Sequence, residues 1–175
     1  MSSVVISGDT SGSVTLQAPA VAGSTVVTLP TTSMNLGNGG GSVATNTAFG
    51  TSALAANTSG ANNVAIGMSA LLANTTGIQN TAVGTNALQS NTIGTNNTAS
   101  GSSSLQQNTT GINNTAMGYN SLKYNSTGSN NTSSGSFSLI TNTTGSDNVF
   151  VGGCSGYCNQ SGSNNNFFGR YAGYS

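Results

Sequence analysis

The chain has 175 residues, and only four of them are charged at neutral pH: two basic, two acidic, with no histidine. A net charge near zero leaves no electrostatic footprint for binding nucleic acid or an anionic membrane surface. The length allows one domain, or one repeat domain that carries a small module.

The composition also offers few side chains that could catalyse a reaction. The two carboxylates, Asp9 and Asp147, are far apart in the sequence, whereas glycoside hydrolysis needs two carboxylates that flank one bond. No nucleophile has a visible base to activate it. A repeat that bound calcium would need an aspartate in each unit, where this chain has asparagine. We therefore expect no enzymatic activity, no metal and no cofactor.

Residues 1–36 alternate apolar and polar residues in short runs that glycine and proline interrupt. This pattern predicts three or four short strands with turns. We interpret the segment as a β module that trimerises and attaches the protein to its support; the alternative is a cap over the first edge of the following domain. Residues 37–45 begin with Gly37-Asn-Gly-Gly-Gly and are predicted to form a flexible joint.

Residues 46–175 repeat with a period of 17, without insertion or deletion, in seven full units and a partial eighth. We number the positions of each unit as columns 1 to 17. Column 1 is always Asn and column 5 always Gly, while the full units have a second Asn in column 12 and a second Gly in column 15. A fixed period of this kind indicates a solenoid, in which each unit is one coil.

The coil is predicted to contain two strands, N-T-A-x-G and S-A-L-x-x, joined at Asn/Gly corners. Both segments are too short for a stable helix, and Gly and Asn tolerate the positive-φ conformations of a sharp corner. The predicted fold is therefore an all-β parallel β-solenoid (a β-roll) of 17-residue coils. The corner residues include Asn46, Gly50, Asn57, Gly60, Asn63, Gly67, Asn80, Gly84, Asn114 and Gly118.

The predicted core is thin. Identical residues stack about 4.8 Å apart in such a solenoid, so asparagines form hydrogen-bonded ladders and leucines a continuous seam. The seam is column 9: Leu54, Leu71, Leu88, Leu105, Leu122 and Leu139. We add to the core the small residues of columns 3 and 8 and the apolar residues of column 4: Phe49, Ile66, Val83, Met117, Val151 and Phe168. Because this core is narrow, we expect a homo-oligomer, with a homotrimer first.

The last two units replace the seam leucine by Gly156 and Gly173 and are rich in aromatic residues. Phe150, Phe167 and Phe168 are predicted to plug the end of the core. Aromatic and arginine side chains are favoured contact residues, and aromatic faces stack on sugar rings. Two interpretations stay open: a hydrophobic cap without a ligand, or a receptor-contact tip made of Tyr157, Arg170, Tyr171 and Tyr174.

Cys154 and Cys158 are the only cysteines. A pair with this spacing is a weak zinc signal, because two further ligands are missing. Four residues of extended strand would separate the two cysteines by about 13 Å, beyond the reach of a disulfide unless the chain turns at Gly156. Buried free thiols and a disulfide, within or between chains, both remain open.

The lines Asn46-Thr-Ala-Phe-Gly and Asn80-Thr-Ala-Val-Gly-Thr-Asn-Ala-Leu resemble the N-T-A-x-G-x-x-A-L repeats of bacteriophage tail-fibre-like proteins. They are more distantly similar to the head repeats of trimeric autotransporter adhesins. The segment from Ile6 to Gly23, with Val27-Thr-Leu-Pro after it, resembles a short module of phage structural proteins. The resemblance implies a trimeric fibre or head-fibre (decoration) protein on a virion, with residues 1–36 bound to capsid or tail proteins.

We find no secretory signal and no apolar run long enough to span a bilayer. Together with the resemblance, this implies a protein made in the host cytoplasm and displayed on the virion surface. Contact of its C-terminal tip with host-surface glycans is one of the two interpretations that stay open for the last units. The alternatives are a fragment of a bacterial trimeric adhesin and an ice-binding solenoid. Low charge and regular threonine rows favour ice binding, whereas the adjacent pair Thr75-Thr76 does not form the usual Thr-x-Thr array.

Overall fold

The computed structural model describes residues 45–174 and three short strands that precede them. Strand β1 (Thr15–Gln17) pairs antiparallel with β2 (Val26–Thr28). Strand β3 (Met34–Asn35) pairs antiparallel with the first strand of the repeat region. The rest of the predicted module at residues 1–36, and all but the last residue of the predicted joint at residues 37–45, lie outside the described residues.

The repeat region is a parallel β-solenoid. Each strand pairs with its neighbours at a register of 17 residues, so that Ala82 lies beside Ala65 on one side and Ala99 on the other. This confirms the predicted all-β parallel solenoid with 17-residue coils; a homotrimer stays a prediction. The strands are β4 (Thr47–Phe49), β5 (Val64–Ile66), β6 (Thr81–Val83), β7 (Thr98–Ser100), β8 (Thr115–Met117), β9 (Thr132–Ser134), β10 (Val149–Val151) and β11 (Asn166–Phe168).

Each coil has one strand, in columns 2 to 4, so the predicted second strand in S-A-L-x-x is wrong. The backbone reason is the left-handed conformation of columns 7 and 9, as at Ser103 (φ 57°) and Leu105 (φ 48°). A leucine in this conformation costs about 1–2 kcal/mol. The conformation persists because each column-9 side chain is fully buried and its backbone N–H donates to the next coil, as Leu88 does to Ser104 O at 3.0 Å.

Two ladders of buried asparagine side chains run along the solenoid. In column 1, Asn97 donates from both its backbone N (3.0 Å) and Nδ2 (3.2 Å) to Asn80 Oδ1 of the preceding coil. In column 12, Asn91 Nδ2 donates to Asn74 Oδ1 at 2.8 Å. Both ladders meet at the column-15 carbonyl, since Gly94 O accepts from Asn80 Nδ2 (2.8 Å) and from Asn91 Nδ2 (3.0 Å). This shared acceptor ties the start of each coil to its end.

The two glycine columns are required for different reasons. Column 5 is a conformational corner, with φ of 136° at Gly84 and 137° at Gly101. Column 15 has no positive φ, contrary to the corner interpretation of Gly60 and its equivalents. A Cβ on Gly94 would instead collide with Asn91 Oδ1 and lie 2.6 Å from Gly111 O. Column 15 is therefore glycine because the asparagine ladders leave no room for a side chain.

The core lies between the strand and the turn segment of columns 6 to 11. Column 3 faces inward from the strand and columns 8 and 9 face it from the turn, and small residues let the two walls approach. Two of the serines that replace Ala in column 8 bond across the core: Ser121 Oγ donates to Ser133 Oγ at 2.8 Å, and Ser138 Oγ donates to the Phe150 carbonyl at 3.2 Å. No buried side-chain nitrogen or oxygen of the described residues is left without a hydrogen-bond partner.

Column 4 is not in the core, and its assignment there was wrong. Successive side chains of a strand point to opposite faces. Because the column-3 alanines point inward, columns 2 and 4 must point outward. Phe49, Ile66, Val83, Met117 and Phe168 are accordingly exposed, and Val151 is half-buried.

At the end of the core, column 3 changes to a large residue and column 9 changes to a small one. In coil 7 the small column-3 residue becomes Phe150, which is buried, while the column-9 leucine becomes Gly156. A Cβ on Gly156 would collide with the Phe150 ring. Phe167 stacks on Phe150 with ring centroids 5.2 Å apart and is partly exposed. Two of the three predicted plug residues thus lie at the end of the core, whereas Phe168 points outward in column 4.

We predict that Asn97→Ala lowers the free energy of unfolding by about 3 kcal/mol or more, because it leaves the buried Gly111 carbonyl and Asn114 groups short of partners. Thr110→Ala, a change at an exposed residue two positions after the ladder residue Asn108, should cost at most about 0.5 kcal/mol. Chemical unfolding followed by circular dichroism measures both. Equal losses would contradict the structural role of the ladder.

We also predict strong coupling between Phe150 and Gly156. Phe150→Ala alone should cost about 3–5 kcal/mol through a cavity, and Gly156→Leu alone should destabilise through overpacking. The double variant restores the Ala/Leu pair of the other coils and should lie within about 1 kcal/mol of the parent chain. A double-mutant cycle from unfolding curves tests this, and additive losses would show that the two side chains do not share one space.

Candidate functional site

The most distinctive exposed group is a cluster of aromatic side chains on coils 7 and 8. Tyr157 and Tyr174 occupy column 10 of successive coils and stack, with ring centroids 5.1 Å apart and an interplanar angle of 23°. Tyr171 meets Tyr174 edge to face at 5.5 Å. The repeat brings Tyr157 and Tyr174 together because residues 17 apart lie side by side. We call Tyr157, Arg170, Tyr171 and Tyr174 the tyrosine patch.

Arg170 adds the only positive charge of the patch. Its guanidinium lies 4.6 Å from the centroid of the Tyr171 ring, and its Nη2 donates to Tyr171 Oη at 2.9 Å. Among the described residues the other charged side chains, Lys123 and Asp147, belong to other coils. The structure therefore brings together all four residues that the sequence predicted as a contact tip, with one cation held against the rings.

Desolvation against its neighbours raises the pKa of the Tyr174 phenol above its ordinary value, and Tyr157, Cys158, Cys154 and Tyr171 raise it further. The phenol is therefore neutral at physiological pH. A neutral hydroxyl can both donate and accept a hydrogen bond. The patch thus offers ring faces, hydroxyls and one guanidinium, which are suited to a polar ligand with apolar faces, such as a sugar.

Cys154 and Cys158 flank this patch as free thiols. Cys154 is half-buried and in the left-handed conformation (φ 56°), and Cys158 is exposed, so neither is a fully buried thiol. Gly156 between them has φ of 60°, which is the turn that the sequence analysis required for any bond between the two. No disulfide joins them within the chain.

A cavity of about 310 Å³ lies at the last coil, separate from the tyrosine patch. Phe150 and Phe167 contribute apolar lining, and Asn159 and Gln160 contribute polar lining. None of the four patch residues lines it. Residues 158–162, which are columns 11 to 15 of coil 7, form one side of it.

A second exposed feature was missed by the sequence analysis, namely the outward apolar side chains of column 4. The signal was present, because alternation within a three-residue strand cannot place columns 3 and 4 on the same face. Ser100 and Ser134 interrupt the column, and apolar residues occupy its other positions. We call this row the column-4 stripe.

The predicted structural residues are distributed between the interior and the turns. The asparagines Asn46, Asn57, Asn63, Asn80 and Asn114 are buried ladder members rather than positive-φ corners. Left-handed conformations occur instead in columns 7, 9 and 17. Gly50, Gly67, Gly84 and Gly118 are positive-φ residues, and the six seam leucines are all fully buried: Leu54, Leu71, Leu88, Leu105, Leu122 and Leu139.

Comparison of the chain with protein-family models, with curated proteins and with solved structures gives no match. The residues that the structure describes include no helix long and apolar enough to cross a membrane. Across the same residues, no three histidine, cysteine or acidic side chains come together in a group that could hold a metal ion.

Proposed function

We propose that this protein is a structural component of a phage particle: a short trimeric fibre or capsid decoration protein, displayed on the virion surface. The observation that carries the proposal is the uninterrupted stack of 17-residue coils, whose N-T-A-x-G-x-x-A-L lines resemble phage fibre repeats. Structural proteins of this kind need a rigid, regular body more than a reaction centre.

The interior supports such a role. The seven full coils are tied to one another by backbone bonds and by the two asparagine ladders, so this part of the solenoid resists local opening. Because the chain has few charged groups, it has few ion pairs for salt to screen, and we expect its stability to be insensitive to ionic strength. Few groups titrate in mild acid for the same reason. A particle exposed to changing media benefits from both properties.

In this proposal the N-terminal segment attaches the protein to the particle and the C-terminal coils contact the host. Residues 1–36 bind capsid or tail proteins, and the tyrosine patch contacts glycans of the host surface. The patch supports the second task because its stacked rings and Arg170 lie on the outside, where a saccharide could stack on Tyr171 and receive hydrogen bonds from the guanidinium.

The two alternatives have less support. An ice-binding surface needs a flat array of similar side chains, but the outward strand face pairs Thr, Val or Asn of column 2 with residues from Ser to Phe in column 4. A fragment of a bacterial adhesin would share the solenoid, and its function would depend on export and anchor segments encoded beside it.

For the phage whose genome encodes this chain, we predict that purified particles contain it. Quantitative mass spectrometry gives its copy number relative to the major shell protein. A ratio near one identifies a capsid decoration protein, and a ratio far below one identifies a tail or vertex fibre. Absence from the particle would overturn the virion proposal.

We predict that the purified protein binds isolated surface polysaccharide of the host, and that Tyr171→Ala weakens this binding about tenfold, equivalent to about 1.4 kcal/mol. Biolayer interferometry with immobilised polysaccharide measures the change. The matched control is Tyr124→Ala, because Lys123 lies 5.1 Å from the Tyr124 ring centroid in a similar exposed pair on coil 5. Equal loss in both variants would exclude the tyrosine patch as the contact site.

A further inference from the structure

We propose that the outward face of the sheet, made of columns 2 and 4, binds further copies of this chain side by side, in parallel and in register. The inference rests on the trimeric assembly proposed above and assigns its contact surface. Column 4 contributes Phe49, Ile66, Val83, Ser100, Met117, Ser134, Val151 and Phe168, and column 2 contributes Thr47, Val64, Thr81, Thr98, Thr115, Thr132, Val149 and Asn166.

The face carries a row of partly exposed apolar side chains. A fully exposed side chain of this size presents about 200 Å². The exposed fractions of 38% to 67% at the five most exposed apolar positions of the column-4 stripe therefore correspond to roughly 450 Å². The half-buried threonines and valines of column 2 enlarge this face toward the ~800 Å² that one partner commonly contributes to a stable interface. An apolar patch of about 300–600 Å² is the largest on a typical monomer, and such a patch is often functional.

The charge of the face restricts the partner. None of the described charged residues lies in columns 2 or 4: Lys123 is in column 10, Asp147 in column 17 and Arg170 in column 6. A charged partner would lose its hydration there without gaining an ion pair. A second copy of the chain brings an equally uncharged face, so no like charges oppose each other.

The spacing of the face also matches a second copy. All strand pairs have the same register of 17 residues, so column-4 side chains recur at the strand spacing of about 4.8 Å. An identical chain has this spacing over its whole length. When two copies lie in register, the small side chains of Ser100 and Ser134 face the same residues of the second copy. The large side chains of Phe49 and Phe168 likewise face their own equivalents.

An antiparallel arrangement is the main competitor. Column 4 reads nearly the same in both directions about Met117, which would place Ser100 opposite Ser134 and Val83 opposite Val151. That arrangement leaves Phe49 beyond the end of the partner's stripe. An antiparallel pair is related by a twofold axis, whereas the threefold axis of the proposed trimer keeps all chains parallel, and for this reason we favour the parallel arrangement.

The first test introduces a charge on and off the face in the full chain. Val83→Lys places a lysine in each copy at the contact, and Ile93→Lys places the same residue at an exposed apolar position in column 14. Sedimentation velocity should show a trimer of the 17.1 kDa chain for the parent and for Ile93→Lys. For Val83→Lys the concentration of half-dissociation should rise at least tenfold. Circular dichroism checks that both variants keep the solenoid.

The second test reports the register directly and does not depend on dissociation. In a chain with Cys154→Ser and Cys158→Ser, Val83→Cys should be joined to its own equivalent by a short bis-maleimide, whereas Ile93→Cys should remain uncoupled. Coupling of Val83→Cys chains only to Val151→Cys chains in a mixture would establish the antiparallel arrangement and overturn ours.

The outcomes separate the two proposals. A parent chain that stays single at high concentration would overturn the trimer and the assigned face together. A parent trimer in which Val83→Cys is no more coupled than Ile93→Cys would overturn the face alone, and leave residues 1–36 as the site of trimerisation.

Discussion

The structure depends on one acceptor per coil, the carbonyl of the column-15 glycine. It receives one amide from column 1 and one from column 12, and each of these asparagines uses its oxygen to bind the next coil. Buried amide groups are costly unless every donor and acceptor is paired. The network therefore permits one register only, because a slip of a single residue would leave several amides unpaired in every coil.

This constraint explains why so thin a core suffices. One leucine and two small residues per coil bury little apolar surface, but the ladders hold the strand wall and the turn wall close enough for these residues to fill the space. The leucines keep a left-handed backbone because their side chains are fully buried and their N–H groups donate to the next coil. Stacked coils share this cost and the compensating contacts, as in other repeat proteins whose stability is a sum of neighbour interactions.

The period of the sequence was sufficient to predict the solenoid, the leucine seam and the proximity of the tyrosines in coils 7 and 8. It could not assign each asparagine and glycine, since a residue at a turn and a residue in a buried ladder repeat with the same period. Column 15 shows this best, because its glycine is required by the nearby amides and not by φ. The prediction of a second strand in S-A-L-x-x was wrong because no sequence pattern marks a leucine that adopts the left-handed conformation.

Successive side chains of a strand point to opposite faces, and this alternation places column 4 on the outside of the sheet. It also separates the column-4 stripe from the tyrosine patch. Strand side chains that face outward form a straight, uncharged row on the sheet, whereas the tyrosine patch lies on the turn segment, in columns 6, 7 and 10. A contact between copies through the sheet therefore leaves the turns free. If both proposals hold, association and recognition use different walls of one coil. Three copies in register would then present three tyrosine patches at one height, and binding several glycan chains at once would gain from their proximity.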